Sequence, residues 1–311
     1  MIWLCAGILF ALFNAATMLI SQRYKLDGHL LSGLRGVGVA ALSLPFVFLV
    51  DVPTRPLFWI LAGVEALISS FFNSRLYNSS AKYGAGITSR ISILAVGFGV
   101  VLWWAIDYER FFELCGRPIA LAGIAVSLAL VLWGALIMAK RSRADGVMDG
   151  GGAMKYMFPA VITLALMMIV RKEIMENAEF FSATVYYCIG AIFLSGVINL
   201  IYYWKSSAAA EKRKAFSIPK RIATAAVLIT VASFLTIFCG NLSSFEAPNP
   251  AYVTAITLLS PLMIMAFNRM SGIPDKFDIT AVLLMFAGIG MLVFFSGLPL
   301  PPPTSSIFSR P

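Results

Sequence analysis

Long apolar segments alternate with short polar connections along nearly the whole chain. A helix of about 20 apolar residues crosses a hydrocarbon core of ~30 Å, and most of these segments are that long. Ten segments can be drawn, at about residues 2–20, 30–50, 57–77, 84–106, 117–139, 156–170, 181–204, 222–240, 251–268 and 278–297. The runs are continuous, whereas the strands of a transmembrane barrel would alternate in polarity. The pattern predicts an all-α polytopic membrane protein with ten transmembrane helices.

The composition agrees with this class and argues against others. Hydrophobic residues make up 59% of the chain, charged residues 13%, and the mean hydropathy is +0.86. The net charge of +9 resides mainly in the connections, so it indicates membrane topology rather than nucleic-acid binding. The four cysteines show no CxxC spacing, and neither a zinc site nor a disulfide framework is expected. We expect no metal and no other cofactor.

The two halves of the chain share a weak internal similarity. Ala122-Gly123-Ile124 recurs 165 positions later as Ala287-Gly288-Ile289, and Ser32 falls opposite Ser182 at an offset near 150. We therefore predict four parts: a first five-helix repeat at 1–139, a flexible linker at 140–152, a second five-helix repeat at 153–297, and a disordered proline-rich tail at 298–311. Because five is odd, the second repeat would enter the membrane from the opposite face, as inverted repeats do.

The distribution of basic residues predicts the orientation. The first segment has no basic residue before it and is followed by Arg23 and Lys25, which favours a retained helix over a cleaved signal peptide. Most Lys and Arg residues fall on the face that holds the connections 20–30, 139–156 and 204–222. Arg171 and Lys172 are assigned to a connection on the other face. The bias predicts that the richer face is cytosolic and that both termini lie outside.

Three features in order carry a resemblance to a known family. They are the five-plus-five repeat, Arg35 early in the second segment, and the Glu109-Arg110 turn between the fourth segment and a glycine-containing fifth segment. Over about residues 2–297 the chain resembles the drug/metabolite transporter superfamily in its ten-helix EamA-like form. It departs from the family pattern at Pro274-Asp275, where a second glutamate is common, and in the predicted orientation of its termini.

The resemblance implies a transporter in the bacterial inner membrane with a central cavity between the repeats. Its substrate would be a small metabolite, such as an amino acid, choline, a sugar or a drug, and the protein would be a monomer or a homodimer. The first, third, fourth, sixth, eighth and ninth helices would face the cavity. That arrangement favours six residues as binding or coupling candidates: Glu65, Arg90, Asn14, Thr163, Thr230 and Thr254. Arg35, in the second segment, is a seventh candidate.

Glu65 is the strongest of these candidates, because it is the one acidic residue well inside an apolar segment. A charged carboxylate at the bilayer centre costs about 2.5–3.5 kcal/mol on insertion scales, so it needs a partner, a cavity or a proton. Arg35, Arg75 and Arg90 are its possible partners, although Arg75 could instead extend to the membrane interface. Arg90 could alternatively hold a carboxylate or phosphate of a substrate. Glu65 would then couple transport to protons or bind substrate; otherwise it is a buried ion pair that fixes packing.

These features favour a secondary transporter that works by alternating access, with proton-coupled export as one form. Its partners would be a small-molecule substrate, the lipid bilayer and protons, with no nucleic acid. The alternative is a flippase for a lipid-linked or amphipathic substrate. The chain is not expected to be an enzyme, because it lacks the clustered acids and histidines that a membrane-embedded metalloenzyme uses. The sole histidine, His29, is expected to be a solvated loop residue.

Overall fold

The computed structural model is helical, and no β-strand occurs in the residues that it describes, which are 2–92, 94–144, 150–206, 220–247, 252–253, 256–257, 259–272 and 279–296. The first half contains α1 (Ile2–Tyr24), α2 (Gly28–Ser43), α3 (Pro56–Tyr83), α4 (Ala85–Ser92), α5 (Leu94–Ile106), α6 (Tyr108–Cys115) and α7 (Pro118–Ala144). The second half contains α8 (Gly150–Glu176), α9 (Phe180–Tyr187), α10 (Phe193–Lys205), α11 (Lys220–Glu246), α12 (Leu259–Met270) and α13 (Ile279–Ser296). A 3₁₀ turn (Leu44–Leu49) follows α2, and a π-helical turn (Cys188–Ile192) joins α9 to α10.

Several of these helices can cross a membrane by length and composition. Within the described ranges there are seven such stretches: Ile2–Tyr24, Gly28–Leu49, Pro56–Tyr83, Ala85–Ile106, Gly151–Glu176, Phe180–Lys205 and Lys220–Glu246. Two shorter apolar helices are Pro118–Gly134 and Thr280–Leu292. Helices suit this role because each satisfies its own backbone hydrogen bonds in lipid. The prediction of a helical membrane protein is confirmed, and the count of ten stays a prediction.

Two predicted connections differ from the structure. The charged turn after the fourth segment forms the short helix α6, with Glu109 in its first turn, where a negative charge is favourable. In the predicted linker at 140–152, residues 140–144 extend α7 and residues 150–152 begin α8. Residues 145–149 and the predicted tail at 298–311 lie outside the described residues.

The assignment of Arg171 and Lys172 to a connection is wrong, because α8 continues to Glu176 and both side chains are buried. Lys172 Nζ donates to the carbonyl oxygens of Ser244 at 3.3 Å and Ala247 at 2.9 Å, and it lies 3.0 Å from Glu176 Oε1. The ammonium group therefore caps the carboxyl end of α11, where unpaired carbonyl groups favour a cation. Neither residue can serve as a topology signal, and removing them from the poorer face leaves the predicted orientation unchanged.

His29 is not the solvated loop residue that the sequence suggested. Asp27 precedes α2 as its N-cap, and its carboxylate accepts hydrogen bonds from the backbone N–H groups of His29 and Leu30. The helix thus begins early enough to include His29. The imidazole Nδ1 lies 2.8 Å from Asn199 Oδ1, so this side chain joins α2 to α10.

The helices of the first half pack mainly against helices of the second. The closest associations are those of α1 with α11, α3 with α8, α2 with α10, and α7 with α13, and α4 contacts both α8 and α12. Apolar side chains of α1, α3, α4, α8 and α11 form one continuous core. A second core lies between α5, α7, α12 and α13. The halves therefore form a single interdigitated bundle rather than two separate domains.

The contact between α2 and α10 depends on small residues. A Cβ atom placed on Gly36 would lie 2.5 Å from Gly196 Cα and 2.7 Å from the Ile192 carbonyl oxygen. The two backbones thus touch directly, as at other small-residue crossings in membranes. This close approach keeps α2 against α10, and α2 carries the buried side chain of Arg35.

We predict that Gly36→Ala destabilises the protein by about 1–3 kcal/mol, because the added methyl group would force two backbones apart. The matched control is Gly63→Ala in α3, where a Cβ atom would meet nothing within 4 Å. Thermal denaturation of both variants in the same detergent provides the measurement. Equal midpoints for Gly36→Ala and Gly63→Ala would show that the helix crossing tolerates side chains.

Candidate functional site

A small cavity of about 60 Å³, lined by both polar and apolar side chains, lies between the two halves of the chain. Its wall is formed by α1, α2, α3, α4, α8, α11, α12 and the segment just before α12. The polar lining residues are Asn14, Thr17, Arg35, Asn73, Tyr77, Ser89, Ser92, Arg171, Ser233, Thr236, Thr257 and Ser260. The apolar lining residues are Phe10, Met18, Phe72, Leu76, Leu164, Met167, Met168, Ile237 and Pro261. Such a mixed wall is typical of small-molecule sites.

Most hydroxyl groups in this wall already donate to helix backbones. Ser89 donates to the Gly86 carbonyl oxygen at 3.0 Å, and Thr236 donates to that of Ala232 at 2.7 Å. Ser and Thr commonly bond back to their own helix in this way. Their oxygen lone pairs remain available, but their protons are used within the protein.

Two polar groups of the wall differ from these hydroxyls. Arg35 is only 6% exposed, and neither a hydrogen bond nor an ion pair joins its guanidinium to any residue that the structure describes. Ser233 is 1% exposed, and its Oγ likewise has no hydrogen-bond partner there. Buried polar groups in folded proteins are nearly always paired. The side of the cavity formed by α2 and α11 therefore carries two buried polar groups that a bound molecule could pair.

A second buried feature, which we call the Glu65 cluster, comprises Glu65, Arg171 and Tyr187. The Tyr187 hydroxyl donates to Glu65 Oε1 at 2.7 Å, and Arg171 Nε donates to the Tyr187 hydroxyl oxygen at 3.2 Å. Arg171 Nη2 lies 3.6 Å from Glu65 Oε1. This distance is too long for a hydrogen bond but short enough for an ion pair. The cluster thus joins α3, α8 and α9 through one carboxylate oxygen.

Arg171 belongs to both features, because it lines the cavity and also contacts Glu65. Glu65 itself is fully buried and is not part of the wall. Its second oxygen, Oε2, has no hydrogen-bond partner in the described part of the chain. Among the lining residues, Arg171 is therefore in direct contact with Glu65 and can connect a molecule in the cavity to it.

The backbone around Tyr187 is irregular. Tyr187 is the last residue of α9, and the π-helical turn Cys188–Ile192 follows it directly. Such single π turns are rare and occur often at functional sites. The Arg171 guanidinium carbon lies 5.5 Å from the centre of the Tyr187 ring, so the phenol helps to position the cation as well as the carboxylate.

The predicted pairing of Glu65 with Arg35 or Arg90 is wrong, because Arg171 and Tyr187 hold Glu65 instead. Arg35 is near enough to act on Glu65 electrostatically, but no ion pair or hydrogen bond joins them. Arg90 is buried in α4 beside Ser89, which lines the cavity. Asn14 lies in the wall of the cavity, and so does Arg35, although the second helix was not expected to face it.

The predicted threonines are not in the wall as described. Thr163 donates to the Ala160 carbonyl oxygen of its own helix at 2.9 Å. Thr230 faces Gly38, since a Cβ atom built there would collide with the Thr230 side chain. Neither threonine is among the residues that line the cavity, which on α8 include Leu164 and Met168 and on α11 include Ser233 and Ile237. Thr254 lies outside the described residues.

Sequence reasoning missed Arg171, Tyr187 and Ser233. The predicted sixth segment ends at residue 170, just before Arg171 and Lys172. Two basic residues in succession usually mark the end of a membrane helix. The signal that could have extended it is the return of apolar residues at Ile174 and Met175, which continue the helical spacing of the preceding run. Tyr187 and Ser233 carry no sequence signal that separates them from packing residues.

The described part of the chain offers no group of three or more His, Cys, Asp or Glu side chains that could hold a metal ion. The charged groups of the site are guanidiniums and one carboxylate. Guanidiniums bind oxyanions through paired N–H donors. The site is thus suited to charge recognition through hydrogen bonds.

No protein-family model and no curated protein sequence matches the chain. Sixteen chains of known structure do match it. One of them, described only as "Crystal structure of protein", shares 12% sequence identity with a TM-score of 0.66, over 94% of this chain and 97% of that one. The chain is therefore similar in fold, over nearly its whole length, to a protein solved by crystallography.

We predict strong coupling between Glu65 and Arg171. Arg171→Gln or Glu65→Gln alone should destabilise the protein by about 3–5 kcal/mol, because each leaves a buried charge without its partner. The double variant removes both charges, so its loss of stability should be much smaller than the sum of the losses in the two single variants. Denaturation in detergent measures all three variants, with exposed Glu113→Gln as the control for a changed net charge. Additive losses would contradict the pairing.

Proposed function

We propose that the chain is a secondary transporter of the drug/metabolite transporter type, with ten membrane helices in two inverted five-helix repeats. It moves a small metabolite or drug across a bacterial inner membrane by alternating access, with both termini outside. The observation that carries this proposal is the cavity between the two halves, whose wall combines charged, polar and apolar side chains. Transporters built from inverted repeats bind their substrates at such an interface.

The pattern of helix contacts supports the repeat. If α1 corresponds to α8 and α3 to α11, exchanging the halves converts the contact of α1 with α11 into that of α8 with α3, and both are extensive. The same exchange relates the contact of α1 with α3 to that of α8 with α11. The remaining large contacts, α2 with α10 and α7 with α13, join corresponding helices to each other. A two-fold relation between the halves accounts for all of these contacts.

The Glu65 cluster supplies a means of coupling. Because Arg171 faces both the cavity and Glu65, an occupant that binds Arg171 competes with the Glu65 carboxylate for the same cation. A carboxylate that loses its cation in a low-dielectric interior can be neutralised by a proton. Substrate binding at Arg171 and proton binding at Glu65 would then favour each other. This linkage is what coupling of a substrate to protons requires.

We predict that purified protein in liposomes moves protons together with one or more compounds from a panel of amino acids, quaternary amines, sugars and drugs. A pH-sensitive dye inside the liposomes reports the proton flux. Glu65→Gln cannot accept a proton at this position, so it should abolish the coupled proton movement, whereas exposed Glu113→Gln should retain it. Equal proton flux in wild type and Glu65→Gln would exclude Glu65 as the coupling residue.

A parallel measurement separates the flippase alternative. Fluorescent phospholipid in the same liposomes is reduced by dithionite added outside, and loss of more than half of the signal reports lipid movement between leaflets. The transporter proposal expects compound flux without lipid movement. Lipid movement without flux of any compound would replace it with a flippase.

A further inference from the structure

Arg35 is a buried guanidinium to which the described residues make no hydrogen bond. It is 6% exposed, it lines the cavity, and its Nε has no hydrogen-bond partner in the described ranges. Glu65 makes neither a hydrogen bond nor an ion pair with it, because both contacts of that carboxylate are made by Arg171 and Tyr187. A buried cation that keeps its charge without a partner is costly. A protein can tolerate this loss of stability at a position where a bound ligand supplies the missing partner.

The charges around the cavity do not balance. Arg35 and Arg171 are its two lining guanidiniums, and none of the described residues in its wall is an aspartate or a glutamate. The Glu65 carboxylate, behind the wall, pairs with Arg171. One positive charge, that of Arg35, therefore remains for an occupant, which favours a monoanion.

The surroundings of Arg35 define the shape of that occupant. Ser233 lies on α11, which packs against α2, and its Oγ also lacks a hydrogen-bond partner in the described part of the chain. A hydroxyl can donate to an oxyanion that a guanidinium already holds. The wall also contains apolar side chains, among them two phenylalanines and three methionines, Phe10, Phe72, Met18, Met167 and Met168. This lining suits a hydrophobic body.

We propose that Arg35 and Ser233 bind the oxyanion, a carboxylate or a phosphate, of a small amphipathic organic anion whose apolar part lies against the phenylalanines and methionines. The inference rests on the proposed function in treating the cavity as a substrate site, and it names the class of substrate. The oxyanion can come from a soluble acid or from a lipid headgroup. Both sources present the same group to Arg35.

The test is a binding titration of purified protein in a neutral detergent, read by intrinsic tryptophan fluorescence and by thermal shift. The probes are benzoate and its uncharged analogue benzamide, which differ little in size, together with inorganic phosphate and dihexanoyl phosphatidylglycerol. Wild type should bind benzoate or the short phosphatidylglycerol at least tenfold more tightly than benzamide. Benzoate identifies a soluble acid and the phosphatidylglycerol identifies a lipid headgroup. Inorganic phosphate, which lacks an apolar body, should bind more weakly than either.

Three variants connect the binding to the residue. Arg35→Gln should weaken anion binding at least tenfold and leave benzamide unaffected, and Arg35→Lys should weaken it less, because the charge remains while the planar fork is lost. Exposed Arg55→Gln makes the same change of net charge and should bind like wild type. Ligand-free Arg35→Gln should melt no lower than wild type, since it removes an unpaired buried charge. A large drop in its melting temperature would assign Arg35 a structural role and overturn the proposal.

The outcomes also separate this proposal from that of transport. Equal affinity of wild type for benzoate and benzamide, without binding of either phosphate compound, overturns the anion site even if no Arg35 variant can be purified. Transport of a neutral compound could still stand in that case. Conversely, binding of an anion that requires Arg35 but does not lead to flux in liposomes supports the site and contradicts transport.

Discussion

The organisation of this helical bundle depends on how it stabilises buried charged side chains, which lipid does not solvate. Backbone groups are satisfied within helices, as lipid requires, but charged side chains need partners from other helices. The Glu65 cluster meets that need by joining three helices at one carboxylate oxygen. Lys172 meets it differently, through the carbonyl groups at the end of α11. These paired charges, on Glu65, Arg171 and Lys172, therefore also fix the position of one helix against another.

Close contacts between helix backbones at glycine residues also hold the bundle together. At Gly36 and Gly196 the backbones of α2 and α10 are in direct contact. Gly288 similarly approaches the backbone of α7 at Ser127 and Val131, so α7 and α13 are held by the same device. Because small residues bring these corresponding helices together, the larger side chains of the other helices are left to surround the cavity. The cavity is thus a consequence of where the small residues are.

The sequence predicted the helical membrane class because length and hydrophobicity dominate in lipid, where neither tertiary contact nor turn chemistry can override them. Through the resemblance it also named Asn14 as a cavity residue, and Asn14 lies in the wall. It failed at Arg171 because a rule for membrane topology treats basic residues as outside the helix, whereas here a carboxylate from α3 compensates for the cation. It failed at His29 because the Asp27 cap starts α2 earlier than hydropathy suggests. The first failure concerns a long-range partner, which a linear pattern does not contain, and the second concerns a local cap, which hydropathy alone does not weigh.

Arg171 and Arg35 differ in whether the described protein supplies a direct partner for the charge. Both are buried in the same wall, so desolvation is unfavourable for both. Glu65 and Tyr187 offset this cost for Arg171, and its contribution to stability depends on those residues remaining in place. Arg35 has neither a hydrogen bond nor an ion pair with a described residue, and the free energy it would gain from a direct partner remains available for binding. A residue that lowers stability in the empty state and gains its partner from a ligand is the form that a substrate-recognition group takes in a stability–function trade-off.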